Sequence, residues 1–341
     1  MATVNIGIIG AGRIGKVHTE NLAFRIPAAR VVSICDVNRA AAEALADQLG
    51  IPNVCDDYHT AVTDPAVDAV LVCSSTDTHA SVIEAAAAAG KHIFTEKPIE
   101  LDLVRIDQVL RAVEQAGVKF QVGFNRRFDP TFARVREAIQ RGEIGEPHLL
   151  HVISRDPAPP PPEYVSVSGG IFLDMMIHDF DMARFLVGSE VVEVFARGAV
   201  RIDPRIGEAG DVDTALVMRT FEDGVIGTID NSRQAVYGYD QRVEVLGSQG
   251  GISTANLYPN QVTFSSAKAV YRDLPLNFFM ERYTASYIAE IQAFIRAIVD
   301  DLPPEPTGLD GRMSVAVGLA AKTSLHEGRP VKVSEIAPGT A

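Results

Sequence analysis

The sequence is short of three things: cysteine, positive charge and long apolar runs. Its three cysteines, Cys35, Cys55 and Cys73, are isolated, odd in number and without C-x-x-C spacing. That argues against a disulfide framework or a zinc site and reads as buried thiols in a reducing compartment. Lysine and arginine number 31 against 44 aspartates and glutamates, a net charge of -13. Nucleic acid is not an expected partner, because phosphate binding needs clusters of basic residues that the sequence does not contain. The alanines at 85–89 are among the longest uninterrupted apolar runs, far too short for the roughly 20 residues that span a bilayer. The opening "MATVNIGIIGAG" enters a strand directly, without the regions of a signal peptide, so the expectation is a cytoplasmic protein with no membrane partner. What is present is a globular composition, 47% hydrophobic and 22% charged over 341 residues, a length suited to about two domains.

From residue 4 to about 125, apolar runs alternate with helical patterns. The strands are "VNIGIIG", "RVVSICD", "AVLVCS", "HIFTEK" and "KFQVGFN", with helices near 13–24, 38–49, 79–89 and 102–116. Continuous apolar strands separated by helices predict a parallel sheet covered on both faces. After residue 125 come a helix "DPTFARVREAIQRG", a strand "HLLHVISRD", the proline run "PAPPPP" and a second helix. Alternating segments follow: "VVEVFARGAV", "TALVMRTFEDG", "VIGTIDNSRQ" and "QRVEVLGSQ". The "EDG" between two of them is a hairpin signal. The predicted class is α/β: a doubly wound Rossmann domain over 1–124, then an α+β domain over 125–341 with a large, mostly antiparallel open sheet.

"GAGRIG", residues 10–15, follows a strand and opens a helix, the context in which G-x-G-x-x-G binds a dinucleotide. Gly10 permits the tight turn, Gly12 the approach of pyrophosphate and Gly15 close helix packing. The helix N-terminus faces the phosphates with unpaired N–H groups. Asp36, 21 residues after Gly15, suits the adenine-ribose hydroxyls and repels a 2′-phosphate, which favours NAD over NADP despite the nearby Arg39. Asp36 can also cap the helix that follows.

"FLDMMIHDFDMARFL", residues 172–186, has the apolar content of a core helix yet carries Asp174, His178, Asp179, Asp181 and Arg184. At 100° per residue, Asp174, His178 and Asp181 share one stripe, while Asp179 points elsewhere. The cluster also admits a reading as a metal site, but no further ligand set accompanies it. "HIFTEKP" places Lys97 at the carboxyl end of a parallel strand, where ligands of doubly wound sheets bind.

"GAGRIG", Asp36, "STDTH" (75–79) and "EKP" (96–98) occur in the order and spacing of the Gfo/Idh/MocA (glucose-fructose oxidoreductase/inositol dehydrogenase) family. The chain resembles that family over essentially its whole length. The stretches "GFNRRFDPTF", "GGIFLDMMIHDFDMARFL" and "NSRQAVYGYDQR" look most like its bacterial inositol 2-dehydrogenase members. The resemblance implies a homotetramer, a cis bond before Pro98 and a catalytic trio at Lys97, Asp174 and His178. It implies NAD-dependent oxidation of a secondary hydroxyl of a cyclic polyol, most simply myo-inositol, without a metal. Another inositol isomer, a pyranose or a non-catalytic NAD sensor are the alternatives. The cofactor residues expected on this basis are Gly10, Gly12, Arg13, Ile14, Gly15, Asp36, Ser74, Ser75, Thr76, His79, Glu96 and Lys97. Asn125, Arg127, Asp156, Tyr237 and Tyr283 are the candidates to join Asp174 and His178 around a polyol, whose hydroxyls call for hydrogen-bonding side chains. Asp181 is a candidate to orient His178.

Overall fold

The computed structural model describes residues 3–338 in two compact units: residues 3–128 with Ala285–Met313, and Asp129–Thr284 with residues 314–338. One cut at residue 124 therefore describes neither unit fully. The reason is apolar burial: Ile291, Phe294 and Ile295, on a late helix over Thr284–Val299, belong to the core of the first unit.

The first unit holds six strands, β1 (Val4–Ile9), β2 (Ala29–Cys35), β3 (Asn53–Cys55), β4 (Ala69–Val72), β5 (His92–Glu96) and β6 (Phe120–Gly123). All pair in parallel, in the order β3-β2-β1-β4-β5-β6. Ile6, Ile8, Ile34, Leu71 and Phe94 are wholly buried, as expected for a sheet covered on both faces. The covering helices are α1 (Arg13–Arg25), α2 (Arg39–Leu49), α3 (Tyr58–Thr63), α4 (Thr76–Ala88) and α5 (Leu103–Ala116). Gly50 and Gly117 end α2 and α5 in the left-handed conformation. Strand order reverses between β1 and β4, so the carboxyl ends of those strands flank the position where doubly wound sheets bind ligands. Sequence periodicity missed β3 and α3, because three residues at a sheet edge and a six-residue helix carry too little pattern.

The second unit runs through α6 (Pro130–Gln140), β7 (Pro147–Arg155), α7 (Pro162–Ser168), α8 (Ile177–Val187), β8 (Val191–Ala199), α9 (Pro204–Glu208), β9 (Thr214–Phe221), β10 (Ile226–Ser232), β11 (Asp240–Gly247) and β12 (Gly250–Ser253). A separate hairpin, β13 (Thr263–Ser265) and β14 (Val270–Arg272), precedes α10 (Phe279–Arg282) and α11, the helix Thr284–Val299 noted above. α12 (Gly308–Glu327), β15 (Val331–Lys332) and α13 (Val333–Ile336) complete the chain. The sheet order is β12-β11-β7-β10-β9-β8-β15, and only β10 and β7 pair in parallel. The "EDG" hairpin joins β9 to β10, with Gly224 at φ +88°. Along β9, Ala215, Val217 and Phe221 are buried while Leu216 and Met218 are exposed.

Candidate active site

The glycine loop after β1 separates what the fold requires from what a ligand requires. Gly10 has φ +104°, and a Cβ there would lie 2.6 Å from the backbone of Cys73. A Cβ at Gly15 would lie 1.9 Å from the Gly10 carbonyl oxygen. Both positions must be glycine for the chain to close on itself. A Cβ at Gly12, by contrast, would meet nothing within 4 Å. Nothing in the protein demands glycine at this position, which is the N-cap of α1; a pyrophosphate lying against the helix N-terminus does. The loop therefore fits a dinucleotide. Arg13 is exposed on the first turn, and Ile14 packs on the core, leaving its backbone to face a phosphate.

Asp36 is held at the end of β2 by two amides: Ala11 N donates to Oδ2 at 2.6 Å and Asn38 N to Oδ1 at 2.7 Å. Its carboxylate is thus fastened to the glycine loop with lone pairs to spare for a ribose diol. Arg39 is occupied, donating to Glu43 at 2.8 Å and lying 4.0 Å from Asp56.

Beyond β4, Ser74 and Thr78 share a hydroxyl contact at 2.6 Å, and Ser75 caps α4 without a side-chain bond. Thr76 starts α4, half-buried. His79 is buried, with its ring nitrogens 2.7 Å from Pro98 O and 3.0 Å from Ser74 O. It therefore packs between two backbone segments at the ends of β4 and β5. Lys97 follows β5, half-buried, and the Lys97–Pro98 bond is cis. Glu96 turns toward α1, where His18 Nε2 donates to it at 2.7 Å.

In the second unit, Gly169 and Gly170 take φ of +90° and +75°. A Cβ at Gly170 would come within 2.7 Å of Asp211 Oδ1, and Ile171 N donates to Asp211 Oδ2 at 2.9 Å. The chain so constrained winds one π turn over Ile171–Met175 before α8 begins. The single α-helix expected over 172–186 is corrected accordingly, and its 100° wheel does not hold through the first turn. Burial then identifies the accessible face. Of residues 171–187 only Asp174, His178 and Phe185 are half-buried; Asp181, one turn beyond His178 on α8, is buried. Asp179 is buried too, accepting from Asn231 Nδ2 at 3.0 Å.

The carboxylate of Asp174 is held from two sides. Tyr164 OH donates to Oδ1 at 3.0 Å, and Arg233 Nη1 lies 3.5 Å from Oδ2. Arg233, 1% exposed, also lies 3.7 Å from Asp211 Oδ2. Burial pushes the Asp211 carboxyl up, against the Val212 and Ile171 amides and the Arg233 charge. Tyr164, Arg233 and Asp211 were not anticipated from the sequence. An arginine at the end of a strand-like segment gives no local sign of being buried.

Asn125 is buried and Arg127 half-buried in a 3₁₀ turn, Asn125–Phe128, where Arg127 Nη2 donates to Asp310 Oδ1 at 2.9 Å. Asp156 follows β7, its main chain pairing with Ser232 O and Ala235 N at 2.9 and 2.6 Å, beside the Arg233 segment. Tyr237 is 37% exposed; its hydroxyl donates to Asp240 at 2.6 Å and accepts from Arg155 at 3.1 Å. Tyr283 is 2% exposed, edge-on to Tyr239, with its hydroxyl 3.4 Å from Gln241 Oε1. A ring so enclosed packs as part of the core.

A family model described as an oxidoreductase family with an NAD-binding Rossmann fold matches residues 4–124. The GFO/IDH/MocA C-terminal domain matches residues 132–253. The chain is 49% identical over 333 residues to the myo-inositol 2-dehydrogenase of Thermotoga maritima, covering 98% of this chain and 99% of that protein. It is 46% identical over 332 residues to the inositol 2-dehydrogenase of Rhizobium meliloti, covering 97% and 100%. Among solved structures, the scyllo-inositol dehydrogenase of Lactobacillus casei with bound NAD(H) and scyllo-inositol aligns with a TM-score of 0.91 at 32% identity, covering 97% of this chain and 99% of that one. With nearly its whole length matched, the chain belongs to the Gfo/Idh/MocA family and is an NAD-dependent dehydrogenase.

Proposed function

We propose that the protein oxidises one secondary hydroxyl of a cyclic polyol, myo-inositol before others, to the ketone. The observation that carries this reading is the pair Asp174 and His178. On an otherwise buried segment they are the two polar side chains left half-open, and Tyr164 and Arg233 hold the carboxylate of one of them. The relative named for myo-inositol, 49% identical in sequence, and the inositol 2-dehydrogenase, 46% identical, support this choice of substrate.

Bound NAD supplies a hydride acceptor at nicotinamide C4. The hydroxyl proton must leave as well, and its pKa lies far above neutrality, so a positioned base has to take it. His178 is that base, since imidazole is the side chain best suited to exchange a proton near neutrality. Asp174, oriented by Tyr164 and Arg233, stabilises the imidazolium and bonds a substrate hydroxyl. Lys97, a compact cation, stabilises the developing alkoxide. Asn125, Arg127, Asp156 and Tyr237 serve the remaining hydroxyls. Tyr237 retains one hydroxyl lone pair for this after its bonds to Asp240 and Arg155.

The second reading is the same chemistry on scyllo-inositol, favoured by the Lactobacillus casei neighbour that holds it. NADH production over a panel of inositols and pyranoses tests both, and no NADH from any substrate would point to an NAD sensor. We place the enzyme in the cytoplasm as a homotetramer. Among the described residues no helix is long and apolar enough to cross a membrane, and one face of the second unit's sheet carries the exposed residues Leu216, Met218, Ile226 and Leu246.

A further inference from the structure

At the carboxyl end of β5 lies a buried cluster that the proposed chemistry leaves unused. His18 on α1, Glu96 on β5 and Glu290 on α11 bring ligand atoms within 4.8 Å of one another. His18 Nε2 donates to Glu96 Oε1, and the His18 ring stands edge-on to Phe94 and Tyr287. The other oxygen of Glu96 lies against Gly123, where a Cβ would come within 3.2 Å of it. Glu290 is 0% exposed, and neither carboxyl oxygen has a hydrogen-bond partner. The titratable groups facing it are His18 from α1, Cys73 after β4 and Glu96 from β5. Gln121 of β6 donates to the backbone carbonyl of Glu290 and not to its side chain. Among the described residues no lysine or arginine pairs with Glu290.

Two carboxylates this close, away from water, cannot both be ionised at ordinary cost. Glu96 already has a donor in His18, whereas Glu290 has none, so the proton belongs on Glu290. Burial first, and then the charge of Glu96, hold the Glu290 carboxyl well above the usual carboxylate range.

We propose that Glu290 is a neutral carboxylic acid that donates its proton to Glu96, so that Glu96 is gripped by α1 and α11 together and presents the following residue, Lys97, from a fixed backbone. The two carboxyls lie within 4.8 Å of each other and are not hydrogen-bonded in the structure, so the Glu290 carboxyl must turn toward Glu96 to donate. Glu290 is then a positioning residue, and the proposal rests on the reading of Lys97 as catalytic. It also ties the helix that carries the glycine loop to the strand end that carries the lysine. An acid serves here where a carboxylate would repel, the arrangement of paired carboxyls that share a proton.

The test uses the full-length enzyme with Glu290→Gln, which keeps a donor but cannot ionise, and Glu290→Leu, which keeps neither. The glutamine variant should turn over within about threefold of wild type, and the leucine variant about ten- to a hundredfold slower, the scale of a displaced catalytic group. Infrared difference spectra, wild type minus glutamine variant at neutral pH, should show the carbonyl band of an undissociated carboxylic acid that shifts in D2O. Stability supplies an independent reading. A carboxyl raised in the folded state gives stability that is full below its unfolded pKa and lost as pH rises toward the folded value. The denaturation midpoint of wild type should therefore fall relative to that of Glu290→Gln as pH rises above the ordinary carboxylate range. Absence of the band, or a glutamine variant as slow as the leucine one, overturns the proposal. So does a stoichiometric metal ion in the purified enzyme that Glu290→Gln abolishes, since that marks an ionised ligand. Should the leucine variant fail to fold, the band and the glutamine variant decide alone. Lys97→Met separates the two readings: if it stays active while the band persists, the role of Lys97 fails and the neutral Glu290 stands.

Discussion

Asp36 owes its position to the Ala11 and Asn38 amides and needs no ligand to hold it in place. A 2′-phosphate brought to that spot would face a fixed carboxylate, while Arg39, the nearby cation, is engaged by Glu43 and Asp56. NAD should therefore be preferred over NADP by at least about tenfold, or about 1.4 kcal/mol. Asp36→Ser should narrow the gap. Titration of both cofactors checks this, and equal or tighter binding of NADP to wild type contradicts it. His178 is the residue proposed to take the hydroxyl proton. His178→Ala should lower turnover with myo-inositol by roughly 10²- to 10⁴-fold, the scale of a lost general base, and leave NADH affinity nearly unchanged. A variant within threefold of wild type would transfer the role to another group, with Lys97 the next candidate.

At the scale of elements, the three glycines of one loop differ in what they serve, and that difference can be measured. Gly15→Ala places a methyl 1.9 Å from the Gly10 carbonyl oxygen, so the loop must shift at a cost of about 1–3 kcal/mol, visible in thermal denaturation. Gly12→Ala places its methyl in open space. Its melting temperature should stay within about 2 °C of wild type, while its dissociation constant for NADH rises by about tenfold or more. Unaltered NADH binding by Gly12→Ala would mean that the pyrophosphate lies elsewhere. The π turn before α8 is the other element that bears on the chemistry. Gly169, Gly170 and the Asp211 carboxylate enforce it, and it shifts Asp174 out of the phase that a regular helix would give it relative to His178 and Asp181, which both lie on α8.

For the whole molecule, the second unit's sheet leaves Leu216, Met218, Ile226 and Leu246 exposed, a face that association would cover. In the register of the sheet Met218 lies opposite Thr228, and Leu216 opposite Asp230, in the middle of β9 and β10. Equilibrium sedimentation of wild type at micromolar concentration should give a tetramer. Met218→Asp should yield smaller species with an unchanged circular dichroism spectrum. A monomeric wild type would remove the tetramer from the account.

Taken by itself, the sequence determined whatever depends on neighbours in the chain. Strand and helix periodicity set out five of the six parallel strands; the glycine spacing and the acidic end of β2 pointed to the dinucleotide; and "HIFTEKP" placed Lys97 at a strand end. Each of these signals is complete within a few residues, so no partner from elsewhere is needed to read it. The tertiary structure decided what distant segments do to one another. Gln121 meets the backbone of Glu290 across a separation of 169 residues, and no periodicity near either residue announces that α11 returns to the first unit's core. Arg233 beneath Asp174, Tyr283 in the core and His79 on two backbone carbonyls likewise follow from burial. Burial is a property of the folded chain: the same side chain serves as ligand, strut or filler according to what the rest of the protein packs against it.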